Sequence, residues 1–317
     1  MKKFLLLSLI TCHLSLATSV HAWLNKEDKG TAGAQFLKIG LGAAGPAMGG
    51  AYTALSSDIS GLYWNPGGLA FSECKEVEVM NLTWFEDTAL QYLAYAMPLA
   101  KGQLGIHYAG LSVSELEERT GDTDDPLDTF NAQDQSIGLT YAVKSGDSAG
   151  MGATVKMVSS EIGDKSASAA ALDLGYRKDG EKYLWGASLR NLGGGIKFET
   201  ESDPLPTNLN LGAGIKLSPA MLLSLDLNLP SDNEMNFSVG YEYRLKASGL
   251  EIPLRLGYKT LNDFDTADAL SVGIGFAMCR ACSNVLNHTQ HAFSLDLAWV
   301  PYGDLGDTIR IALKGKF

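Results

Sequence analysis

The sequence predicts an all-β fold: about 14 antiparallel strands closed into one transmembrane β-barrel, with a short helical plug at the N-terminal end. Three observations predict it. In the later half, apolar and polar residues alternate with period two in one segment after another, as strands with two unlike faces require. The faces opposite the apolar rows are rich in glycine, serine and asparagine, which suits a crowded lumen better than a solvated surface. Residues 308–317 form an amphipathic strand at the end of the chain: Ile309, Ile311, Leu313, Gly315 and Phe317 alternate with Thr308, Arg310, Ala312, Lys314 and Lys316. An unprotected edge of this kind invites aggregation, and pairing it with the first strand of a closed barrel removes the edge.

Residues 1–22 read as a signal peptide. Lys2 and Lys3 supply the charged start, residues 4–10 a short apolar run, and Val20-His21-Ala22 a small-residue cleavage site before Trp23. The run is too short to cross a membrane as a helix, and no later stretch is long and apolar enough to do so. The mean hydropathy is +0.00, low for a helical membrane protein but expected where greasy and polar faces alternate. The net charge is −11, and losing Lys2 and Lys3 with the leader deepens it by two. That acidic balance argues against nucleic acid as a partner.

Residues 23–73 differ in kind and are expected to form the plug, with the barrel spanning residues 74–317. Gly40, Gly42, Gly45, Gly49 and Gly50 read as plug-packing positions, where small residues let backbones approach. Gly40-Leu41-Gly42-Ala43-Ala44-Gly45 also matches the dinucleotide pattern G-x-G-x-x-G, with Asp58 downstream. That pattern needs alternating strands and helices around it, which the chain lacks, so no nucleotide and no other cofactor is expected. Residues 47–55 and 58–63 read as short helices, with Ser57 or Asp58 capping the second. Asn65, Pro66, Gly67 and Gly68 then form a turn.

Three stretches here carry a family resemblance: Gly30-Thr31-Ala32-Gly33-Ala34-Gln35-Phe36-Leu37-Lys38-Ile39-Gly40, Ala47-Met48-Gly49-Gly50-Ala51-Tyr52-Thr53-Ala54-Leu55, and Leu62-Tyr63-Trp64-Asn65-Pro66-Gly67-Gly68-Leu69-Ala70. They resemble the PorV/PorQ (UPF0164-type) family, itself similar to the FadL-like outer-membrane barrels with their Asn-Pro-Ala-Gly turn. Gly67 stands where alanine is usual. The resemblance covers about residues 30–72 and implies a plug inside or beneath a barrel in the outer membrane of a Gram-negative-type bacterium. It also implies one of two roles. The first is protein secretion and surface attachment of the kind served by type IX secretion, with secreted cargo proteins as partners. The second is FadL-like uptake of hydrophobic small molecules or fatty acids. Phe317 is similar to the C-terminal aromatic signal that barrel-assembly machinery reads, and outer-membrane lipid is the remaining partner.

The strands follow in order. Residues 77–84 and 90–98 are apolar without clean alternation. Clear rows then run through Ile137–Leu139–Tyr141–Val143, Leu209–Leu211–Ala213–Ile215, Leu223–Leu225–Leu227–Leu229, Phe237–Val239–Tyr241–Tyr243, Leu254–Leu256–Tyr258 and Phe293–Leu295–Leu297–Trp299. Several rows end in Tyr or Trp (Tyr176, Tyr243, Tyr258, Trp299), as an aromatic girdle would. Opposite the apolar rows lie Asp173, Asp226, Glu242, Arg255 and Asp296, lumen charges suited to gripping the plug by ion pairs. Links at 99–102, 145–149, 178–182, 218–221 and 246–249 are short and read as periplasmic. Those at 112–135, 159–166, 195–205 and 260–267 are longer and read as external.

The link at 278–291 breaks this rule. It carries Cys279 and Cys282, then His288 and His291. An exported chain favours a disulfide, between these two or with Cys74. A metal site on Cys279, Cys282, His288 and His291 has suitable ligand types but not the usual spacing. No thioredoxin-like unit surrounds the pair, and no nucleophile elbow, H-E-x-x-H or phosphate loop occurs, so the chain is not expected to be an enzyme.

Overall fold

In a computed structural model, residues 29–85, 88–122, 124–247, 249–260, 269–279 and 291–317 are described, with Cys279, His291 and Ala292 through their backbones alone. The predicted signal peptide lies outside these residues.

Strands β1 (Glu76–Thr83), β2 (Ala89–Leu99), β3 (Gly102–Glu118), β4 (Asp128–Ser145), β5 (Ala149–Ile162), β6 (Lys165–Asp179) and β7 (Tyr183–Gly193) follow one another as antiparallel neighbours. A small hairpin, β8 (Gly195–Ile196) and β9 (Asp203–Pro204), occupies the next link. The wall resumes with β10 (Asn208–Ser218), β11 (Met221–Pro230), β12 (Asn236–Ala247), β13 (Leu250–Lys259), β14 (Leu270–Cys279), β15 (His291–Pro301) and β16 (Asp307–Lys316). With the hairpin set aside, these 14 strands close into one barrel. The seam is the pairing of β16 with β1, in register from Glu76↔Lys316 to Thr83↔Ile309. Beyond it Phe317 and Lys75 exchange backbone hydrogen bonds of 2.9 and 3.0 Å. The terminal strand therefore has no edge.

The faces sort as the alternation requires. Phe293 is 44% and Ile311 46% exposed on the outside, while Asp226 on the inside is 0% exposed. A water-soluble sandwich would show the reverse, with its apolar rows buried against each other. Tyr141, Tyr176, Tyr183 and Trp185 are exposed on the outer face near the short-turn end, and Trp299 lies toward the other end. They flank the outer apolar band as a membrane girdle does.

The apolar core lies inside the barrel. Phe36, Leu37, Leu41, Ile59, Leu62 and Leu69 of the N-terminal segment pack against Met80, Leu82, Leu90 and Tyr92 on the inner faces of β1 and β2. This explains why residues 77–84 and 90–98 do not alternate in sequence. Their inner face meets an apolar segment rather than water, so both faces are greasy.

Four local expectations are corrected. The helix expected at 47–55 is absent beyond Ala47, the last residue of a helical turn at Ala44–Ala47; a second helical turn is Gly61–Trp64. The second is N-capped by Ser60, without a side-chain cap bond, rather than by Ser57 or Asp58. Asp58 instead accepts from the Ser60 backbone N–H at 3.0 Å and its hydroxyl at 2.6 Å. Much of the acidic stretch 112–135 is strand: β3 and β4 pair out to Glu118↔Asp128, past a register shift between Val113 and Leu116. Likewise β5 and β6 pair to Ile162↔Lys165, so that link is tight. Ladder hydrogen bonds join backbone to backbone, and exposed charges on the side chains do not prevent them.

Candidate functional site

The N-terminal segment runs round the inside of the wall, and glycines on the inner face let its backbone come close. Gly257 on β13 lies against the backbone of Met48 and Gly49, and Gly273 on β14 against Ala47. A Cβ on Gly240 of β12 would lie 2.8 Å from the Met48 side chain, and one on Gly186 of β7 would lie 2.7 Å from the Thr53 carbonyl carbon. Gly105 on β3 receives Leu62, while Gly150, Gly152 and Gly175 on β5 and β6 receive residues 65–67. The segment's own glycines complete the fit. Gly40 and Gly45 pack on the Trp64 indole, Gly42 lies by the Glu78 carboxylate, Gly50 lies near Trp64 and Ser238, and Gly49 (φ +66°) abuts the Tyr258 backbone.

Asn65 adds hydrogen bonds to these contacts. Its amide nitrogen donates to the Thr53 carbonyl at 2.8 Å and to the Tyr176 carbonyl of β6 at 2.9 Å. Its side-chain oxygen accepts from the Gly67 N–H at 3.0 Å, and its carbonyl from the Gly68 N–H at 2.8 Å. The turn thus ties the segment to itself and to the wall, with Pro66 fixing the first φ of the short 3-10 helix Pro66–Phe71.

The lumen charges divide. Asp226 holds the segment by accepting from the Thr53 N–H at 2.9 Å. The other four pair with the wall. Asp173 takes Lys156 at 2.8 Å, and Arg255 bridges Glu242 at 2.7 Å and Asp296 at 2.5 Å. The shortest ion pairs that reach the segment among the described residues are Asp58 with Lys314 at 2.8 Å and Lys38 with Asp232 at 2.8 Å. Sequence reasoning missed both, although strand parity points Lys314 inward. Glu76 accepts from the Ile59 N–H at 2.8 Å and the Ser72 hydroxyl at 2.6 Å, so the seam strands β1 and β16 carry a cluster of these anchors.

Burial alone would raise the Asp58 carboxyl, but the charges of Lys314 and Lys316, with hydrogen bonds from Lys314 and Ser60, hold it well below its ordinary value of 3.8. A depressed carboxylate stabilises the folded arrangement fully above the unfolded value, and that contribution is lost progressively as pH falls below it. Acidification from pH 6 to pH 2.5 should therefore loosen the segment and raise the frequency of openings in planar bilayers. Asp58→Asn, at a cost of about 2 kcal/mol, should open more often at pH 6 and respond less to acid.

The segment has a chamber on each side. Toward the long-loop end lies a cavity of about 260 Å³, whose lining includes Tyr63, Trp64, Arg190, Lys259 and Arg310. Toward the short-turn end lies one of about 600 Å³, whose lining includes Asp58, Glu242, Arg255, Asp296 and Lys314. His107 is buried in the wall, its ring 6.1 Å from that of Tyr92. Among the described residues no three His, Cys, Asp or Glu side chains converge as metal ligands. Cys74 is half-buried just before β1. Cys282, His288 and the side chains of Cys279 and His291 lie outside the described residues, and with them the disulfide and metal expectations.

Solved barrels share this architecture. The toluene transporter TodX of Pseudomonas putida superposes with a TM-score of 0.58 at 12% identity, over 87% of this chain and 98% of that one. The fold is FadL-like. The toluene transporter TbuX of Ralstonia pickettii gives a TM-score of 0.58 at 13% identity, over 88% and 98%. A FadL homologue of Pseudomonas aeruginosa gives 0.54 at 10%, over 87% and 97%. No protein-family model matches the sequence and no curated protein sequence matches it, so the likeness to FadL-like barrels is one of fold. The finer PorV/PorQ assignment rests on residues 30–72 alone.

Proposed function

We propose that this FadL-like barrel is an outer-membrane channel for small molecules of largely apolar character, with residues 30–72 acting as its plug. The observation that carries the reading is the chamber at the long-loop end. Tyr63 and Trp64 of the inner segment are part of its lining, and it lies toward the end we assign to the cell exterior. Its aromatic floor suits ligands with apolar surface. The toluene transporters named above support it by fold. A ligand entering there would meet the plug, and passage would require the segment to yield.

Deleting residues 31–71 should raise single-channel conductance in planar bilayers several-fold, with heat-modifiable gel migration reporting an intact barrel. Unchanged conductance would show that the segment blocks nothing. The alternative, a surface platform for secreted proteins, draws on the resemblance of residues 30–72. It predicts recovery of cargo domains by the intact barrel and no ligand-dependent change in conductance.

A further inference from the structure

The chamber at the long-loop end is more cationic than a purely apolar ligand needs. Lys38, Arg190, Lys259 and Arg310 line it, against Asp232 and Glu234, a surplus of two positive charges. Lys38 and Asp232 neutralise each other at 2.8 Å, and Gln35 donates to the same Asp232 oxygen at 2.9 Å. The remaining cations are less well matched. Arg190 is 8% exposed and Arg310 is 2% exposed. Among the described residues, Nε and Nη1 of Arg190 and Nε of Arg310 find no hydrogen-bond partner. Arg310 does donate through Nη2 to the Tyr302 hydroxyl at 3.1 Å. A buried guanidinium with unused N–H groups is costly, and the cost falls when an anion takes those donors.

The Arg190 environment also selects a shape. Its guanidinium carbon sits 4.6 Å from the centre of the Tyr63 ring and 5.9 Å from that of Trp64. Those two rings meet edge-on, 5.0 Å apart. The ring contact holds the guanidinium against Tyr63, and Arg190 still reaches the chamber as one of its lining residues. Tyr63, half-buried, offers a flat ring aromatic surface beside the guanidinium, and a cavity of about 260 Å³ has room for one small ring.

We propose that this chamber is a subsite for a small aromatic carboxylate, its ring against Tyr63 and Trp64 and its carboxylate on the Arg190 donors, with Arg310 and Lys259 adding attraction. The assignment rests on the passage reading for the ligand's route, but binding is measured separately. The experiment is isothermal titration of the detergent-solubilised full barrel with benzoate, benzyl alcohol and acetate, corrected for detergent alone. Benzoate should bind about tenfold or more tighter than benzyl alcohol, because a hydrogen bond to a charged group outweighs a neutral one. It should also outbind acetate, which has no ring, and weaken as sodium chloride is raised. Arg190→Gln should bring benzoate and benzyl alcohol to within about threefold, and Arg190→Lys should retain part of the preference. Should Arg190→Gln fail the heat-modifiability check, Lys259→Gln and the three-ligand series on the unaltered protein still decide. Equal affinity for benzoate and benzyl alcohol, or no benzoate heat at all, overturns the assignment. If deleting residues 31–71 still raises conductance in that case, the passage reading survives and only the ligand class falls. Unchanged conductance with benzoate bound would have the opposite meaning.

Discussion

Replacing Gly257 with valine should push the inner segment off the β13 wall and turn a closed barrel into a leaky one. The Gly257 α-carbon faces the peptide between Met48 and Gly49, and a side chain there would overlap the Gly49 nitrogen and the Met48 carbonyl carbon. Neither atom is the end of a flexible side chain, so the clash cannot be relieved by a rotamer change. The segment cannot retreat freely either. Ala47 lies against Gly273, Met48 against Gly240, and the Gly49 N–H donates to the Ser271 hydroxyl at 3.1 Å. Overpacking of a filled site costs typically 1–3 kcal/mol and more where backbone must move, so about 3 kcal/mol is expected here. The strand itself stays paired, because its ladder to β12 and β14 does not use the side chain. Heat-modifiable migration should survive while conductance and protease cleavage within residues 30–72 both rise. Gly121→Val, where an added Cβ meets nothing within 4 Å, is the control and should leave both unchanged.

That argument also shows how far the sequence could be read. The barrel and most of its strands follow from period-two alternation, which depends only on neighbours in the chain, whereas β1 and β2 are legible only as apolar runs. The inward orientation of Gly257, Gly240 and Gly273 is legible in the same way, since each falls between two residues of an apolar row and so lies on the opposite face. What each glycine admits is not legible, because Met48 and Gly257 are 209 residues apart in sequence and no local pattern links them. Four of the five lumen charges pair with the wall instead of the segment for a related reason. Parity places Asp173, Glu242, Arg255 and Asp296 inside, but whether a carboxylate grips the segment or its neighbour depends on strand register. Arg255 faces Glu242 directly across the β12–β13 pair, and that proximity decides its partner. The helix predicted at 47–55 is replaced by turns through tertiary demand. A backbone that must follow a curved wall closely, with Gly49 and Gly50 at positive φ, cannot keep a regular helix.

Asn65→Ala should release the segment from the opposite side. Asn65 is fully buried, and one amide group serves three backbone partners. Alanine removes the donor to the Thr53 carbonyl, the donor to the Tyr176 carbonyl and the acceptor for the Gly67 N–H together. A buried group left unsatisfied costs about 1–3 kcal/mol. Some of that is recovered if water enters, so a loss near 4 kcal/mol is expected for the segment. Aspartate keeps the acceptor for Gly67 but sets a negative oxygen against two carbonyls, so Asn65→Asp should be at least as damaging. The wall has little reason to fail, because Tyr176 belongs to a β6 ladder that is complete without Asn65. Both variants should retain heat-modifiable migration while residues 53–68 lose hydrogen-exchange protection and conductance rises. Full protection in Asn65→Ala would mean that the glycine contacts hold the segment without this side chain. The turn would then be a consequence of the close approach at Gly150 and Gly175 and not its cause.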